Sequence, residues 1–154
     1  FDRADEFLDR VASGESRSLY AYMPGHGPSP AMTAEGLLSR MYLGWKHNEP
    51  GLAKGIDWLV DNHMPSVRQP NIYYWYYGTQ AMHHWGGKPW TEWNQKMRDI
   101  LVTTQKQSGH EAGSWDPISP HGPAGGRLYF TALAACTLEV YYRHTPLYRR
   151  IELR

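Results

Sequence analysis

Two adjacent histidines, His83 and His84, are the residues of this chain whose type most directly suggests metal binding. Neighbouring residues on a helix point about 100° apart, so this pair cannot bind one metal ion as an i, i+4 pair does. His84 could gain a second ligand only if His110 or His121, from a distant loop, lay beside it. We therefore expect a hydrogen-bonded helix histidine, and we predict no metal site and no cofactor.

Two carboxyl groups, those of Glu35 and Asp116, are the candidate acids for catalysis. Glu35 belongs to a mostly apolar helix. If it faced a cavity, loss of hydration would raise its pKa and let it act as an acid. If it faced Arg40 or solvent, it would be an ordinary surface charge, which is the interpretation that we favour. Asp116 stands between Trp115 and Pro117, so it either shapes a turn or places a carboxylate at the mouth of a cavity.

An aromatic segment, residues 71–93, is the feature around which the chain is organised. Aromatic side chains at this density are typical of a core or a ligand pocket. On one face of the predicted helix, the side chains are mostly apolar but end in polar groups, which suits the wall of a cavity. The tyrosine run also fits a strand, but the following Gln-Ala-Met-His-His has no strand pattern. The predicted ligand-binding residues are Tyr73, Tyr77, Gln80, His84, Trp115 and Tyr129.

These aromatic residues also have structural explanations. Trp115 could stack between two helical hairpins and hold them together, and this is the role that we favour for it. For Tyr73 and Tyr77, lining a pocket and packing in the core remain open alternatives. The opposite face of the aromatic segment carries Gly78, where a neighbouring element can approach closely, and is interpreted as a helix-packing face.

Hydrophobic spacing predicts an all-α fold of six helices. They cover residues 2–11, 33–45, 52–63, the aromatic helix that ends at Gly86 and Gly87, 91–105 and 128–142. The last helix is apolar on nearly every side, so we expect it to be buried all round. Segments rich in Pro and Gly predict loops over residues 19–30, 64–70 and 108–126, and no β-hairpin is indicated.

An internal repeat is indicated by three threonines, each near the start of a mostly apolar helix. Thr33, Thr79 and Thr131 recur about every 50 residues, a period typical of repeats built from helical hairpins. Apolar helices alternate with amphipathic ones, which predicts an inner and an outer layer of helices. The alternative is an ordinary helical bundle in which the threonine positions coincide by chance.

The segment 107–115, Gln-Ser-Gly-His-Glu-Ala-Gly-Ser-Trp, follows a helix and precedes the Thr-Ala-Leu at 131–133. This junction resembles the QW motif of the prenyltransferase and squalene cyclase repeat family, also known for squalene oxidase repeats. Residues 19–22, Leu-Tyr-Ala-Tyr, resemble a degenerate copy of the junction. The resemblance implies partial αα-toroid architecture and an isoprenoid or other apolar ligand. Three hairpins would be an incomplete ring, which implies another domain or subunit that completes the toroid.

The catalytic motifs of that family are missing from this chain. It lacks the Asp-x-Asp-Asp segment of the squalene–hopene cyclases and the Gly-Cys-Gly-Glu-Gln segment of thioester domains. The single cysteine, Cys136, is preceded by Ala134 and Ala135, so the Asp-x-Cys zinc pair of the protein prenyltransferases is also missing. One cysteine also excludes an intrachain disulfide. The resemblance therefore implies a fold but no particular enzyme.

Length and charge limit the remaining possibilities. The 154 residues predict a single domain, 1–154, and the start at Phe1 indicates a processed chain or an excised part of a longer one. A net charge of +1 with scattered basic residues does not indicate nucleic-acid binding, and the densest basic stretch, 143–154, is interpreted as a solvated helix end. No apolar run approaches the length of a transmembrane segment. The sequence gives no cellular location.

Three functional hypotheses follow from these residues. The first is a noncatalytic repeat module that binds an apolar or extended ligand, or a protein partner, in an aromatic cleft. The second is a terpenoid-cyclase-like or prenyl-transferring enzyme that uses Glu35 or Asp116 as its acid. The third is a purely structural repeat domain with a tightly packed interior.

Overall fold

The computed structural model describes residues 1–148, and the predicted all-α character is confirmed for this part of the chain. The basic stretch 143–154 lies partly outside it, since residues 149–154 are not among the described residues. Residues 1–148 contain seven α-helices: α1 (Asp2–Val11), α2 (Pro30–Tyr42), α3 (Pro50–Asn62), α4 (Ile72–Trp85), α5 (Gly87–Thr104), α6 (Gly122–Leu138) and α7 (Val140–Arg143).

Two predictions about local structure are wrong. Where no β-structure is expected, two short antiparallel strands, β1 (Ala12–Ser13) and β2 (Leu19–Tyr20), pair with each other. Strands of two residues are too short for an alternating pattern to reveal them. The loop predicted over 108–126 ends earlier, because α6 begins at Gly122. Gly126, with a φ of 69°, separates the first turn of α6 from the rest and interrupts the helical spacing.

The central element of the fold is α4, the aromatic helix. Its start is capped by Asn71, whose side-chain oxygen accepts a hydrogen bond from the Tyr74 backbone N–H at 3.1 Å. Helices α2, α5 and α6 all pack against α4, and α3 packs against α2 and α5. Ile72, Ala81 and Met82 of α4 have no exposed surface. A helix that is apolar on most sides is stable only when neighbours cover those sides.

A buried arginine fastens α1 to the body of the fold. The side chain of Arg40, on α2, has no exposed surface and donates hydrogen bonds to the carboxylates of Asp5 and Asp9 on α1. Its Nε donates to the Tyr20 hydroxyl at 3.1 Å, and the guanidinium lies 4.7 Å from the centre of the Trp45 ring. A buried charge is tolerated only when it is paired in this way, so the network fixes where α1 lies.

The predicted packing face of α4 is confirmed at Gly78. The fully buried indole ring of Trp93, from α5, lies against this glycine, and a Cβ atom built there would be 2.6 Å from the ring. The indole N–H of Trp93 donates to the Thr79 hydroxyl at 2.9 Å, and the ring meets Tyr74 edge-on at 5.6 Å between centroids. Because Trp93 is held from three sides, it cannot move to accommodate a larger residue.

The prediction that the last helix is buried all round is wrong. In α6, Phe130, Ala134 and Thr137 are buried, whereas Leu128 is 83% exposed. This helix has α4 on one side, and among the described residues no long helix follows it to cover the other side. The described helices also include none whose length and apolar character would suffice to cross a membrane.

Replacement of Gly78 by alanine tests this packing. Alanine in a helix interior is normally more favourable than glycine by about 1 kcal/mol. Here the contact with the Trp93 ring should reverse that gain, and we expect a net destabilisation of about 1–3 kcal/mol. Gly27→Ala is the control, because no atom lies within 4 Å of its would-be Cβ and its φ is not positive. Urea denaturation of both variants measures the difference, and equal stabilities would contradict the packing argument.

Candidate functional site

A groove lined by aromatic side chains runs over the surface between α4 and α6. Tyr73 and Tyr77 of α4 meet edge-on with ring centroids 5.0 Å apart, and His121 lies 5.9 Å from Tyr73. This depression measures about 590 Å³. The residues lining it come from three separate parts of the chain and are Tyr22, Met32, Tyr73, His121, Ala124, Gly125 and Tyr129.

A second depression, of about 700 Å³, lies between α1, β2 and α2 and adjoins the first at Tyr22 and Met32. We call the two together the aromatic groove. Most of the lining of this second part is apolar, and α1 contributes one continuous apolar stripe to it. Its lining residues are Phe1, Ala4, Phe7, Leu8, Val11, Tyr20, Ala21, Tyr22, Met23, Met32, Glu35, Gly36, Ser39, Tyr42 and Leu43.

Glu35 is the carboxyl group of this groove, and it is not the ordinary surface charge that we expected. The side chain is partly buried, and its Oε1 atom is buried without a hydrogen-bond partner. Burial raises the pKa of Glu35, and interaction with the Tyr73 hydroxyl lowers it by less. Arg40 does not compensate the charge, because its guanidinium pairs with Asp5 and Asp9 on α1.

The tyrosines beside Glu35 stay neutral over the physiological range. Burial and the neighbouring carboxyl group both raise the pKa of Tyr73. The same two causes, in the same order, raise the pKa of Tyr77. Burial is also the main cause of the raised pKa of Tyr129. Tyr73 and Tyr129 therefore contribute ring faces and neutral hydroxyl groups to the groove. Tyr77, a predicted ligand-binding residue, packs against Tyr73 and does not line the groove, and none of the three supplies a base.

His84 has a structural environment. It is 2% exposed, and its Nδ1 atom accepts a hydrogen bond from the Leu147 backbone N–H at 3.3 Å. The proton of the neutral ring is therefore on Nε2, which donates to the Tyr42 hydroxyl at 3.0 Å. Burial, followed by the nearby His83 and His144, lowers the pKa of His84 to about 4.

Neither His110 nor His121, the residues considered as partners of His84, lies beside it. His121 lies beside Tyr73 at the aromatic groove, and the ring of His110 is 94% exposed. Instead, the C-terminal segment 144–148 lies against the end of α4, where His83 Nε2 donates to the His144 carbonyl at 2.9 Å. Among residues 1–148, no group of three or more His, Cys, Asp or Glu side chains is arranged to hold a metal ion.

Gln80, another residue of the predicted ligand-binding set, is buried at 6% exposure. Its side-chain amide donates to the Tyr76 carbonyl of its own helix at 3.4 Å. Gln80 and His84 are therefore buried and do not line the groove, whereas Tyr73 and Tyr129 do. The groove residues that the sequence did not identify include Tyr22 and Met32.

Asp116, the second candidate acid, is held by two basic residues outside the aromatic groove. Its carboxylate accepts from Lys106 at 2.8 Å and from Arg127 at 2.7 Å. Hydrogen bonds from Lys106 and then Arg127 lower the pKa of Asp116 below its usual range. An ion-paired carboxylate of this kind stays ionised at neutral pH, which disfavours the role of proton donor that the sequence suggested.

Trp115, which belongs to the predicted ligand-binding set, is 4% exposed and lies in the core. Its indole N–H donates to the Leu101 carbonyl in the last turn of α5 at 2.8 Å. Its backbone N–H donates to the Thr131 hydroxyl on α6 at 3.3 Å. These contacts join the end of α5 to the middle of α6, so Trp115 holds two helices together, as its structural explanation requires.

Comparison of the chain with models of protein families, with curated proteins and with solved structures found no match. The resemblance to the prenyltransferase and squalene cyclase repeat family therefore rests on the residues of the QW-like junction, and it remains a prediction.

Acidification should destabilise the fold through His84. A histidine whose folded pKa is lowered contributes stability that is fully present above its unfolded pKa of about 6.5. That contribution is lost as the pH falls from there towards about 4. The slope from one group is at most about 1.4 kcal/mol per pH unit. We expect the free energy of unfolding of His84→Gln, measured by denaturation, to depend less steeply on pH than that of the wild type between pH 4 and about 6.5.

The exposed His110 provides the matched control for this experiment. His110→Gln should retain the wild-type slope, because its ring is solvated in the folded state. Burial also lowers the pKa values of His63 and His144. The stability of His84→Gln should therefore still depend on pH, but less steeply than that of the wild type. An unchanged slope in His84→Gln would contradict the assignment of His84 as a buried neutral ring.

Proposed function

We propose that this chain is a noncatalytic helical module that binds an apolar or extended ligand in the aromatic groove. The observation that carries the proposal is the groove itself, whose two adjoining depressions measure about 700 and 590 Å³. Ligand sites are typically clefts of about 300–1,000 Å³ with mostly apolar linings and a few polar groups. The aromatic groove fits this description, with Glu35 and the tyrosine hydroxyls as its polar groups.

The exposure of the groove residues supports binding over a structural role. Tyr22 is 69% exposed, Phe7 is 47% exposed and Met23 is 45% exposed. Contiguous exposed apolar surface on a folded protein typically marks a site of interaction. Tyrosine suits such a site because it offers a large contact area with few rotatable bonds. A purely structural domain would gain nothing by leaving these side chains uncovered.

Two similar hydrogen bonds support the proposed repeat. The Tyr20 backbone N–H donates to the Thr33 hydroxyl at 3.1 Å, as the Trp115 backbone N–H donates to the Thr131 hydroxyl. In both places a buried aromatic residue that precedes a helix is joined to a threonine of that helix, which is in the first turn of α2 for Thr33 and in the middle of α6 for Thr131. We therefore propose a toroid-like arrangement in which α2, α4 and α6 are inner helices and α3 and α5 are outer ones.

The uncovered side of α6 supports a further part of this proposal, that another domain or subunit completes the ring. Leu128, on this helix, is 83% exposed, and Tyr142, just beyond it, is 92% exposed. In a closed toroid the corresponding surface would pack against a further helical hairpin. An isoprenoid is one apolar ligand that the family resemblance implies for such a module.

The enzymatic alternative depends on Glu35, whose raised pKa lets it keep a proton closer to neutral pH. We expect no turnover of a polyprenyl diphosphate, because the groove carries one carboxyl group and none of the family's catalytic motifs. Product analysis by mass spectrometry tests this. Turnover that Glu35→Gln lowers by about 100-fold or more, while Asp116→Asn preserves it, would establish the enzymatic alternative instead.

Truncation of the tyrosines tests the binding proposal. Tyr73→Ala combined with Tyr77→Ala should weaken binding of the neutral apolar dye Nile red by about tenfold or more, because the groove loses the Tyr73 ring and the Tyr77 ring that packs against it. Tyr142→Ala removes an equally large but distant ring and should leave binding unchanged. Fluorescence titration measures the affinities, and circular dichroism verifies the fold of each variant.

Native mass spectrometry of freshly purified protein, with an organic extract analysed alongside, would identify a co-purified ligand directly. A stoichiometric apolar adduct that the double tyrosine variant loses supports the proposal. Dye binding of equal strength in the wild type and in the double variant would contradict it.

A further inference from the structure

The aromatic groove contains a carboxyl group without a cationic partner. Of the described residues that line the groove, Glu35 alone carries a carboxyl group, and none is lysine or arginine. The Oε1 atom of Glu35 has no hydrogen-bond partner. The nearby Arg40 is saturated by Asp5 and Asp9, which are not among the α1 residues that line the groove.

The groups around Glu35 favour a cation over other occupants. Tyr73 and Tyr77 of α4 interact electrostatically with this carboxyl group, and both are neutral. Aromatic ring faces attract positive charge, most strongly where water is partly excluded. A carboxylate in the same place supplies both a charge and a hydrogen-bond acceptor for an N–H donor. An anionic ligand would instead be repelled by Glu35 and would find no lysine or arginine side chain in the described lining, where His121 is the one residue with a basic side chain.

The apolar stripe of α1 indicates the rest of the ligand. Phe7, Leu8 and Val11 line the same depression as Glu35, together with Met23 from the loop before α2. A ligand with its polar end at Glu35 would therefore extend along an apolar surface. The groove is suited to a molecule with one polar end and an extended hydrocarbon body.

We propose that the ligand of the aromatic groove is an alkylammonium amphiphile, an inference that rests on the proposed binding function. Its protonated amine pairs with the carboxylate of Glu35, which lines the groove, and lies against the ring of Tyr73. Its hydrocarbon chain lies along the apolar stripe of α1. The amine end determines specificity, because it compensates a charge that the folded protein leaves uncompensated.

Three probes with the same eight-carbon chain and different ends test this proposal: octylammonium, octanol and octanoate. Isothermal titration calorimetry at pH 7 with the wild type should give octylammonium an affinity about tenfold or more above that of octanol. Octanoate should not bind measurably. In Glu35→Gln, the preference for octylammonium over octanol should fall below about threefold, because an amide cannot compensate a positive charge.

Glu139→Gln provides the matched control, because Glu139 is an exposed glutamate that does not line the groove. This variant should retain the wild-type preference for octylammonium. Glu35→Gln is expected to fold, since the substitution removes a poorly solvated charge, and thermal denaturation verifies this.

The outcomes separate this inference from the proposed function. If octanol binds as tightly as octylammonium, the amine specificity is wrong and the apolar groove remains. If none of the three probes binds, and Nile red binding is also insensitive to the tyrosines, both proposals are wrong. A preference for octylammonium that persists in Glu35→Gln would overturn the assignment to Glu35.

Discussion

The burial of α4 is the constraint on which the rest of the structure depends. This helix carries aromatic or apolar side chains on almost every side, so its stability requires neighbours all around it. Helices α2, α5 and α6 supply most of this cover, and the C-terminal segment 144–148 closes the end at His83 and His84. Because four separate parts of the chain converge on one helix, the fold is held together by contacts distant in sequence.

The candidate site lies where this cover is incomplete. Tyr73 and Tyr129 remain accessible at the aromatic groove, while Gln80 and His84 on the same face are sealed beneath neighbouring elements. Tyrosine tolerates such a boundary because its ring can be packed while its hydroxyl stays close to water. Tyrosine side chains therefore allow α4 to pack in the core and also form the aromatic wall of the groove.

Two charged residues on α2, Arg40 and Glu35, differ in whether neighbouring groups compensate their charge. Arg40 is fully buried, and Asp5, Asp9 and the Tyr20 hydroxyl compensate its charge. Glu35 is less buried, yet one of its oxygens has no partner. Compensated charges position elements, as Arg40 positions α1, whereas an uncompensated charge in an accessible groove is free to bind a ligand. This difference separates the structural charge from the functional candidate.

The sequence by itself determined the all-α class, the order of the main helices and the packing face at Gly78, because helical spacing and Gly-rich breaks are local properties. It also identified Tyr73 and Glu35 as candidates, since their types stand out within apolar helices. Only the tertiary structure decided that Glu35 lies in a groove, that Asp116 is ion-paired, and that α6 is exposed on one side. Burial, charge compensation and groove shape depend on which distant segments meet, and no local pattern encodes those meetings.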